Sequence, residues 1–415
     1  MGKKKKSEIN EVPVMVSTDD EEGMKIPRVV LRKGGTHRVE EGHAWIFQNE
    51  IDYIDSEFEP GDIVDVYTAR HVFVGRGYIN PKSQIIVRIL TRKAEKIDAE
   101  FFKQRILTAW NYRQQFLQEP EYCRLVYSEA DFLPGLIIDK FGDIFVLQTL
   151  ALGMDIHKAT IVAILEELFH PIGIYERNDV SVRKLEGLPL TTGYLKGNFD
   201  PVLIVKENGF LFETNVVTGQ KTGFFYDQRE NRTVLKNIVQ GKNVLDCFCN
   251  TGSFAIHAAK YGASHVTSID ISEEAIGLAR HNAVLNQVEE SCTFMVANAF
   301  DYLRSPSAKA QSYDVVILDP PAFTKSKSAI EGAIRGYKEI NLQGLKLVKP
   351  GGFLITCSCS FHMDRELFRD IVLVAACDAH RTIREVEYRT QAKDHPILPA
   401  IPETHYLKFL AVQVF

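Results

Sequence analysis

The sequence predicts an α/β protein: a doubly wound parallel sheet in its second half, preceded by a small β-barrel and an α+β middle segment. Three observations predict it. From about residue 206, apolar strand runs alternate with helical stretches, the pattern of strands covered by helices on both faces. Between residues 27 and 95, short β-rich runs are separated by Gly and Pro, as in a small barrel. Between these regions, helical periodicity mixes with isolated strands. The expected organisation is a polar tail over 1–26, a barrel over 27–95, a middle domain over 96–205 and the main domain over 206–415.

The barrel strands are legible in Ile63-Val64-Asp65-Val66-Tyr67 and Ile85-Ile86-Val87-Arg88-Ile89-Leu90, with Pro60-Gly61-Asp62, Gly75, Gly77 and Pro81 as punctuation. Residues 97–118 carry apolar groups at helical spacing (Phe101, Phe102, Ile106, Ala109, Trp110, Phe116). Strand runs follow at 135–139 and 144–148, then a helix over 157–169 and a strand near 173–175. In the main domain, strands are expected at 244–246, 266–270, 315–319 and 353–356. Helices are expected from Phe254, over 273–286 and over 332–348, the last ended by Lys349-Pro350-Gly351-Gly352.

Composition sets bounds on function. The chain is 45% hydrophobic and 25% charged, ordinary for a globular protein. No apolar run approaches the ~18 residues that span a bilayer, so no membrane partner is expected. Four lysines, Lys3 to Lys6, are followed by no apolar stretch, so the start does not read as a secretory signal and the expected location is cytoplasmic. The net charge is −5, and acids balance bases in the barrel, so any nucleic-acid partner must be held by local patches. Seven cysteines, an odd number, argue against a disulfide framework.

In a doubly wound sheet, ligands bind outside the carboxyl ends of the strands. Asp246-Cys247-Phe248-Cys249-Asn250-Thr251-Gly252-Ser253-Phe254 joins the first of these strands to its helix. Gly252 lets the backbone approach a ligand, and amides at the helix start can hold a carboxylate or phosphate. The run is not Gly-x-Gly-x-x-Gly, so the pyrophosphate cradle of a dinucleotide site is missing. Asp270 ends the second strand, where an acid binds ribose hydroxyls. Asn298 follows the third strand and can bond an adenine edge. The set fits a nucleoside bearing an amino acid better than a dinucleotide. Taken singly, Asp270 is also a helix cap and Asn298 a turn residue.

Asp319-Pro320-Pro321-Ala322-Phe323 follows the fourth strand. Its prolines hold an extended turn that can present a carboxylate and an aromatic ring to a flat base. Thr356-Cys357-Ser358-Cys359-Ser360 follows the fifth strand. A thiolate there can attack carbon 6 of a pyrimidine and so make carbon 5 nucleophilic toward a sulfonium methyl group. Cys359 lies further out and is the better nucleophile, with Cys357 as core or pocket wall. Two Cys-x-Cys turns, Cys247/Cys249 and Cys357/Cys359, do not have a usual zinc spacing, and the fourth strand should lie between them, so no metal is expected.

These residues resemble the ribosomal RNA large subunit methyltransferase I family, cytosine carbon-5 methyltransferases of the class I, Rossmann-like type. The resemblance runs from about residue 28 to the end. It rests on Gln220-Lys221-Thr222-Gly223-Phe224-Phe225-Tyr226-Asp227-Gln228-Arg229, the Asp-x-Phe-x-x-Thr-Gly run, Asp319-Pro320-Pro321-x-Phe323, Arg335-Gly336-Tyr337-Lys338, Ser358-Cys359-Ser360 and Asp394-His395-Pro396. It implies that the barrel is a PUA RNA-binding domain and that the partner is large-subunit (23S) ribosomal RNA. It implies S-adenosyl-L-methionine as cofactor, contacted by Asp246, Asp270, Asn298 and Asp319 with Gln228 and Arg229 nearby, and Cys359 as nucleophile. The cradle residues Asn250, Thr251 and Gly252 complete the expected cofactor set, and Asp319 joins Cys359 in the expected catalytic set. Two departures stand out: Pro321 occupies the place of a second cysteine that many RNA cytosine methyltransferases use for product release, and Asn298 replaces a common Asp.

Lys325, Lys327, Arg335 and Lys338 are candidate phosphate contacts, or a solvated helix face. Asp319, Glu403 and His395 are candidates for the base that removes the carbon-5 proton. A guanine-nitrogen (N7) or other base-nitrogen methyltransferase, and a non-catalytic RNA-binding scaffold, remain as alternatives. Oligomeric state, including a homodimer, is left open.

Overall fold

The structure, a computed structural model, describes residues 26–34, 37–324 and 327–415. Lys3 to Lys6, all but the last residue of the expected tail, and Lys325 lie outside the described residues; of Lys327 only the backbone is described. The chain forms two compact units, Met1–Phe101 and Phe102–Phe415.

The first unit is a six-stranded mixed sheet of β1 (Arg28–Leu31), β2 (Trp45–Phe47), β3 (Ile51–Ile54), β4 (Ile63–Tyr67), β5 (Phe73–Ile79) and β6 (Ile85–Thr91), in the order β2-β6-β5-β4-β1-β3. It encloses a core that includes Val29, Leu31, Val39, Val64, Val66, Ile79 and Val87. The buried Arg76–Asp65 pair, at 2.7 Å, ties β5 to β4. Glycine is required at 77, since a Cβ there would stand 2.0 Å from the Arg88 carbonyl oxygen on β6.

The second unit opens with the helix Ala99–Phe116, whose first residues fall in the first unit, followed by a five-stranded sheet. Its strands are β7 (Tyr122–Tyr127), β8 (Leu136–Phe141), β9 (Ile144–Thr149), β10 (Gly173–Asn178) and β11 (Thr191–Lys196), ordered β11-β10-β9-β8-β7. The hairpin β12 (Val202–Glu207) and β13 (Phe210–Asn215) follows. The middle segment shares one core with what comes after it: Phe141, Ile144 and Val146 pack in the same cluster as Val205, Phe212, Val244 and Ile276. That continuity places residues 102–205 in the same compact unit as the main sheet.

The main sheet has seven strands: β14 (Asn243–Cys247), β15 (His265–Asp270), β16 (Cys292–Val296), β17 (Tyr313–Leu318), β18 (Val348–Ser358), β19 (Ile383–Arg389) and β20 (Lys408–Val414). Their order is β16-β15-β14-β17-β18-β20-β19. β14 to β18 are parallel; β20 runs antiparallel to both β18 and β19. Successive residues alternate between two cores. Val315 and Ile317 join the layer of helices Ser253–Lys260 and Glu273–Leu285, while Val316 and Leu318 join that of Ile330–Leu347 and Arg365–Asp378. This two-sided burial is why β17 reads as a pure apolar run. Lys349-Pro350-Gly351-Gly352 does not interrupt the chain as a separate turn. β18 runs through it as a bulge, and the register jumps from Tyr313↔Val348 to Val315↔Phe353. Gly351, at φ +83°, allows the bulge. Among the described residues no helix is long and apolar enough to cross a membrane.

The C-terminal loop is fastened to β7 by Asp394, which is fully buried. Its carboxylate accepts from the Arg124 amide at 3.0 Å and from His395 Nδ1 at 2.8 Å, and its carbonyl accepts from Arg113 Nη2 at 2.7 Å. Burial opposes the charge, but His395, Arg229 and the Arg124 amide outweigh it and hold the carboxyl below its ordinary range. A carboxylate with a depressed folded pKa contributes stability that is present above its unfolded value, about 3.9, and is lost as pH falls through the folded value. Asp394→Asn leaves the buried cations without their partner and is expected to lower unfolding free energy by ~3 kcal/mol at pH 7. The deficit should shrink below about pH 4, as read by urea denaturation at several pH values.

Candidate active site

The site lies at the carboxyl ends of β14, β15, β17 and β18. The turn after β14 is folded by three left-handed residues in five: Phe248 (φ +64°), Asn250 (φ +48°) and Gly252 (φ +81°). A Cβ at 252 would stand 3.1 Å from Ala279 Cβ and 3.3 Å from Phe294 Cε1, so a glycine lets the turn pack on the neighbouring helix and strand. Asp270, at the end of β15, accepts from the Asn250 amide at 2.9 Å and the Ser272 amide at 3.0 Å. Asn250 in turn accepts from the Thr251 amide at 2.7 Å. Helix Ser253–Lys260 then begins with no side-chain cap, so first-turn amides other than that of Ala255, which faces Asp246, are available to a ligand.

Asp246 sits beneath this turn with no exposed surface; among the described residues no side chain hydrogen-bonds its oxygens, and its nearest donor is the Ala255 amide in the first turn of the helix. Burial, with Asp319 and Asp270 close by, pushes its carboxyl well above the ordinary range. A buried, unsatisfied carboxylate beside a row of helix-start amides is complementary to an amino-acid zwitterion: the amides offer donors to its carboxylate, and Asp246 offers an acceptor to its ammonium. A third carboxylate, Asp319, gives the same edge of the sheet a negative lining suited to a ligand that also carries a sulfonium charge. These residues fit S-adenosylmethionine.

Asp319 follows β17 and is held by Gln228, whose Nε2 donates to Oδ1 at 3.0 Å; Asn231 fixes Gln228 from behind at 2.7 Å. Burial and Asp227 push the Asp319 carboxyl up to about 6, against the opposing charges of Arg232 and Lys221. Cys359 lies on the neighbouring strand end, with Sγ 3.9 Å from the Pro320 carbonyl of the Asp-Pro-Pro turn. Burial pushes its thiol up to about 11; Asp319 and Asp227 add to this, while Lys221 and Lys408 pull it down. Cys357 is wholly buried against Asp319 and Gln228, a wall of the site. Cys247 and Cys357 belong to the cores on opposite faces of the sheet, and β17 runs between their strands.

Three expected residues are placed differently from the sequence reading. Arg229 turns away from the cradle toward the Tyr122 carbonyl, to which it donates, and Glu207, 3.8 Å from its Nε. Arg232, one helical turn on, is the arginine that acts on Asp246 and Asp319, and it is anchored on Glu207 at 2.6 Å. The Asn298 side-chain oxygen accepts from the amides of Phe300 (2.9 Å) and Asp301 (3.4 Å), so it caps helix Ala299–Arg304. Phe323 packs on Tyr337 with ring centres 4.5 Å apart and lies against Gly336, which commits much of its face to the protein. Of the candidate phosphate contacts, Arg335 is exposed, whereas Lys338 is paired with Asp378 at 2.7 Å.

Sequence reasoning gave no role to Lys221, Asp227, Arg232 or Lys408. The first three lie in or just beyond the Gln220–Arg229 motif. Asp227 accepts from Tyr406 Oη at 2.6 Å and lies 3.6 Å from Lys221 Nζ, and these partners with His395 hold it well below the carboxylate range despite burial. Lys408 opens an apolar strand, where a lysine ordinarily reads as a solvated end.

A family model described as an S-adenosylmethionine-dependent methyltransferase matches residues 177–409, and one described as a PUA-like domain matches 29–92. With the seven-stranded sheet and the acid-lined cradle, this makes the protein a class I methyltransferase that uses S-adenosylmethionine. The ribosomal RNA large subunit methyltransferase I of Shewanella amazonensis is 42% identical over 393 residues, covering 94% of this chain and 99% of its own length. That of Aliivibrio fischeri is 41% identical over 391 residues, covering 93% and 99%. The chain belongs to the ribosomal RNA large subunit methyltransferase I family. Its fold is also that of a Streptococcus mutans chain assigned as a SAM-dependent methyltransferase (TM-score 0.78, 20% identity, 93% of this chain and 99% of that one). A methyltransferase solved in complex with SAH is similar at TM-score 0.79 and 21% identity, with the same coverage.

Asp246→Asn removes the charge that faces the cradle but relieves a buried, unpartnered carboxylate. It is expected to weaken S-adenosylmethionine binding about 100-fold, the loss of one charge-assisted contact. Its thermal midpoint should equal or exceed that of the unaltered protein. Calorimetric titration and a thermal melt of the ligand-free variant check both parts.

Proposed function

We propose that this chain methylates carbon 5 of a cytosine in large-subunit ribosomal RNA through a covalent adduct on Cys359. The single observation that carries the reading is the placement of the Cys359 sulfur 3.9 Å from the carbonyl of Pro320, beside the buried Asp319 and across the sheet edge from the cofactor cradle. The names of the curated relatives and the PUA-like match support ribosomal RNA as substrate. The first unit would then hold the RNA, and exposed Arg335 would be a phosphate contact.

Bound S-adenosylmethionine supplies an electrophilic methyl group on a sulfonium. Asp246, Asp270, Asn250, Thr251, Gly252 and the amides of helix Ser253–Lys260 would hold it, with Asn298 at the adenine end through its side-chain amide. Cys359, as thiolate, forms a bond to carbon 6 of the flipped base, and the displaced π electrons make carbon 5 a nucleophile. Asp319 gives a proton to ring nitrogen 3 as that electron density builds, since its carboxyl at about 6 can carry one near neutrality. After methyl transfer carbon 5 holds both methyl and hydrogen. Asp319 takes that proton, the carbon 6–sulfur bond breaks to return Cys359 as thiolate, and the proton on nitrogen 3 passes to solvent, which leaves neutral, aromatic 5-methylcytosine. Of the three groups the sequence leaves open for this proton, Asp319 is the one that bears on Cys359. His395 is buried and engaged by Asp394. Pro321 brings no second thiol, so Asp319 serves both proton steps.

Cys359→Ala is expected to keep S-adenosylmethionine affinity within about twofold while methyl transfer to ribosomal RNA falls by at least about 1000-fold, the range for loss of a covalent nucleophile. Nucleoside mass spectrometry of the product should show 5-methylcytosine with the unaltered protein. Full activity of Cys359→Ala, with the methyl group on a base nitrogen, would replace the covalent reading by direct transfer.

A further inference from the structure

The antiparallel pairing of β18 with β20 sets Lys408 opposite Ser358, one residue before Cys359. Its side chain does not reach solvent: the residue is 3% exposed. Nζ donates to the carbonyls of Ser360 and Tyr406, each at 2.7 Å. An ammonium has three N–H donors, so one remains. Among the described residues no carboxylate lies within ion-pair distance of this buried cation. The carbonyl of Ser360 holds it against the loop that carries the nucleophile. A buried lysine with no solvent and with Asp364 beyond ion-pair distance is costly to keep charged, and its placement suits a partner that becomes an anion during turnover.

We propose that Lys408 is a positioning residue that holds Cys359 as the attacking thiolate. The proposal rests on the covalent reading above. Lys408, as ammonium, stabilises the sulfur anion by charge, and the thiol proton passes to solvent. The thiolate then forms the carbon–sulfur bond, and elimination returns it to the same ammonium, so no other reactant is consumed. The charged groups around the sulfur are Lys221 on the motif loop, Asp227, Asp319 and Lys408. Those around the lysine are Cys359 and Asp364, and Lys408 acts in turn on His405. Burial draws the lysine down to about 8 and pushes the thiol up to about 11, so near neutral pH the lysine still carries the charge that the thiolate needs. Lys221 acts more strongly on the sulfur but is about half exposed and lies 3.6 Å from Asp227; Lys408 is the buried cation beside the nucleophile.

The test is the pH profile of Cys359 alkylation by iodoacetamide in the full chain, read by peptide mass spectrometry, for the unaltered protein, Lys408→Met and Lys408→Arg. Exposed Cys377 serves as internal control. Lys408→Met is expected to raise the midpoint of Cys359 alkylation by at least about one pH unit, a tenfold slower reaction on the rising limb, with Cys377 unchanged. Lys408→Arg keeps a charge that cannot be lost and is expected to hold the midpoint within about half a unit. An unshifted Cys359 profile in a Lys408→Met protein that still binds S-adenosylmethionine would overturn the assignment. Should that variant fail to bind, Lys408→Arg decides, since a rise of a full unit with the charge present also overturns it. Alkylation does not depend on methyl transfer. An active Cys359→Ala protein therefore refutes the covalent reading, and a flat Lys408 profile refutes only the lysine's part in it.

Discussion

Three carboxylates converge where β14, β15 and β17 end, and the site is built around their mutual repulsion. Asp270 and Asp319 both make Asp246 harder to charge, and beneath the turn Asp246 has, among the described residues, only the Ala255 amide as a nearby donor. Arg232 offsets part of this cost, and the cluster favours a further cation. Among the described residues no group of side chains is arranged to hold a metal ion. A ligand with an ammonium and a sulfonium satisfies the cluster without one. The backbone around it is correspondingly strained: Phe248 and Asn250 hold left-handed conformations that side chains disfavour, so that the Asn250 amide can reach Asp270.

That edge is kept rigid by buried ion pairs on the side of the middle sheet. Glu207 at the end of β12 anchors Arg232, which faces Asp246 and Asp319. Arg124 and Asp139 pair at 2.8 Å across β7 and β8, and Thr222 of the motif loop donates to the same carboxylate. Tyr226 donates to the Lys140 carbonyl at 3.1 Å. The loop that presents Lys221, Asp227 and Gln228 to the site is thus fastened to the middle sheet. One mixed core joins the two sheets, and the site inherits its rigidity from that core.

Much of this was legible in the residues themselves. The doubly wound sheet follows from the alternation of apolar runs, and β17 sits between the two Cys-x-Cys turns because strand order in such a sheet reverses at its first strand. Asp246, Asp270, Asp319 and Cys359 could be picked out because strand ends are where polar residues gain a ligand. Side-chain direction was not legible. Arg229 and Arg232 are one helical turn apart, and only the position of Glu207 and Tyr122, far away in sequence, decides which one faces the cradle. Asn298 also caps a helix through its side-chain oxygen, a local hydrogen bond that short polar side chains regularly make and that leaves its amide for adenine. Lys408 was invisible because its partners are carbonyl oxygens, which carry no sequence signal. The Lys349–Gly352 stretch has the composition of a turn, yet the neighbouring strands draw it into β18 as a bulge.

The covalent step is tested most directly by trapping it. With ribosomal RNA in which cytosine carries fluorine at carbon 5, the final elimination has no proton to lose, and the adduct should persist after methyl transfer. The account predicts a protein–RNA complex stable to denaturation, formed only with S-adenosylmethionine present. After nuclease and protease digestion, a methylated fluoropyrimidine should remain attached to the peptide at Cys359. Methyl transfer to that RNA with no covalent complex, or an adduct on any other residue, would contradict it.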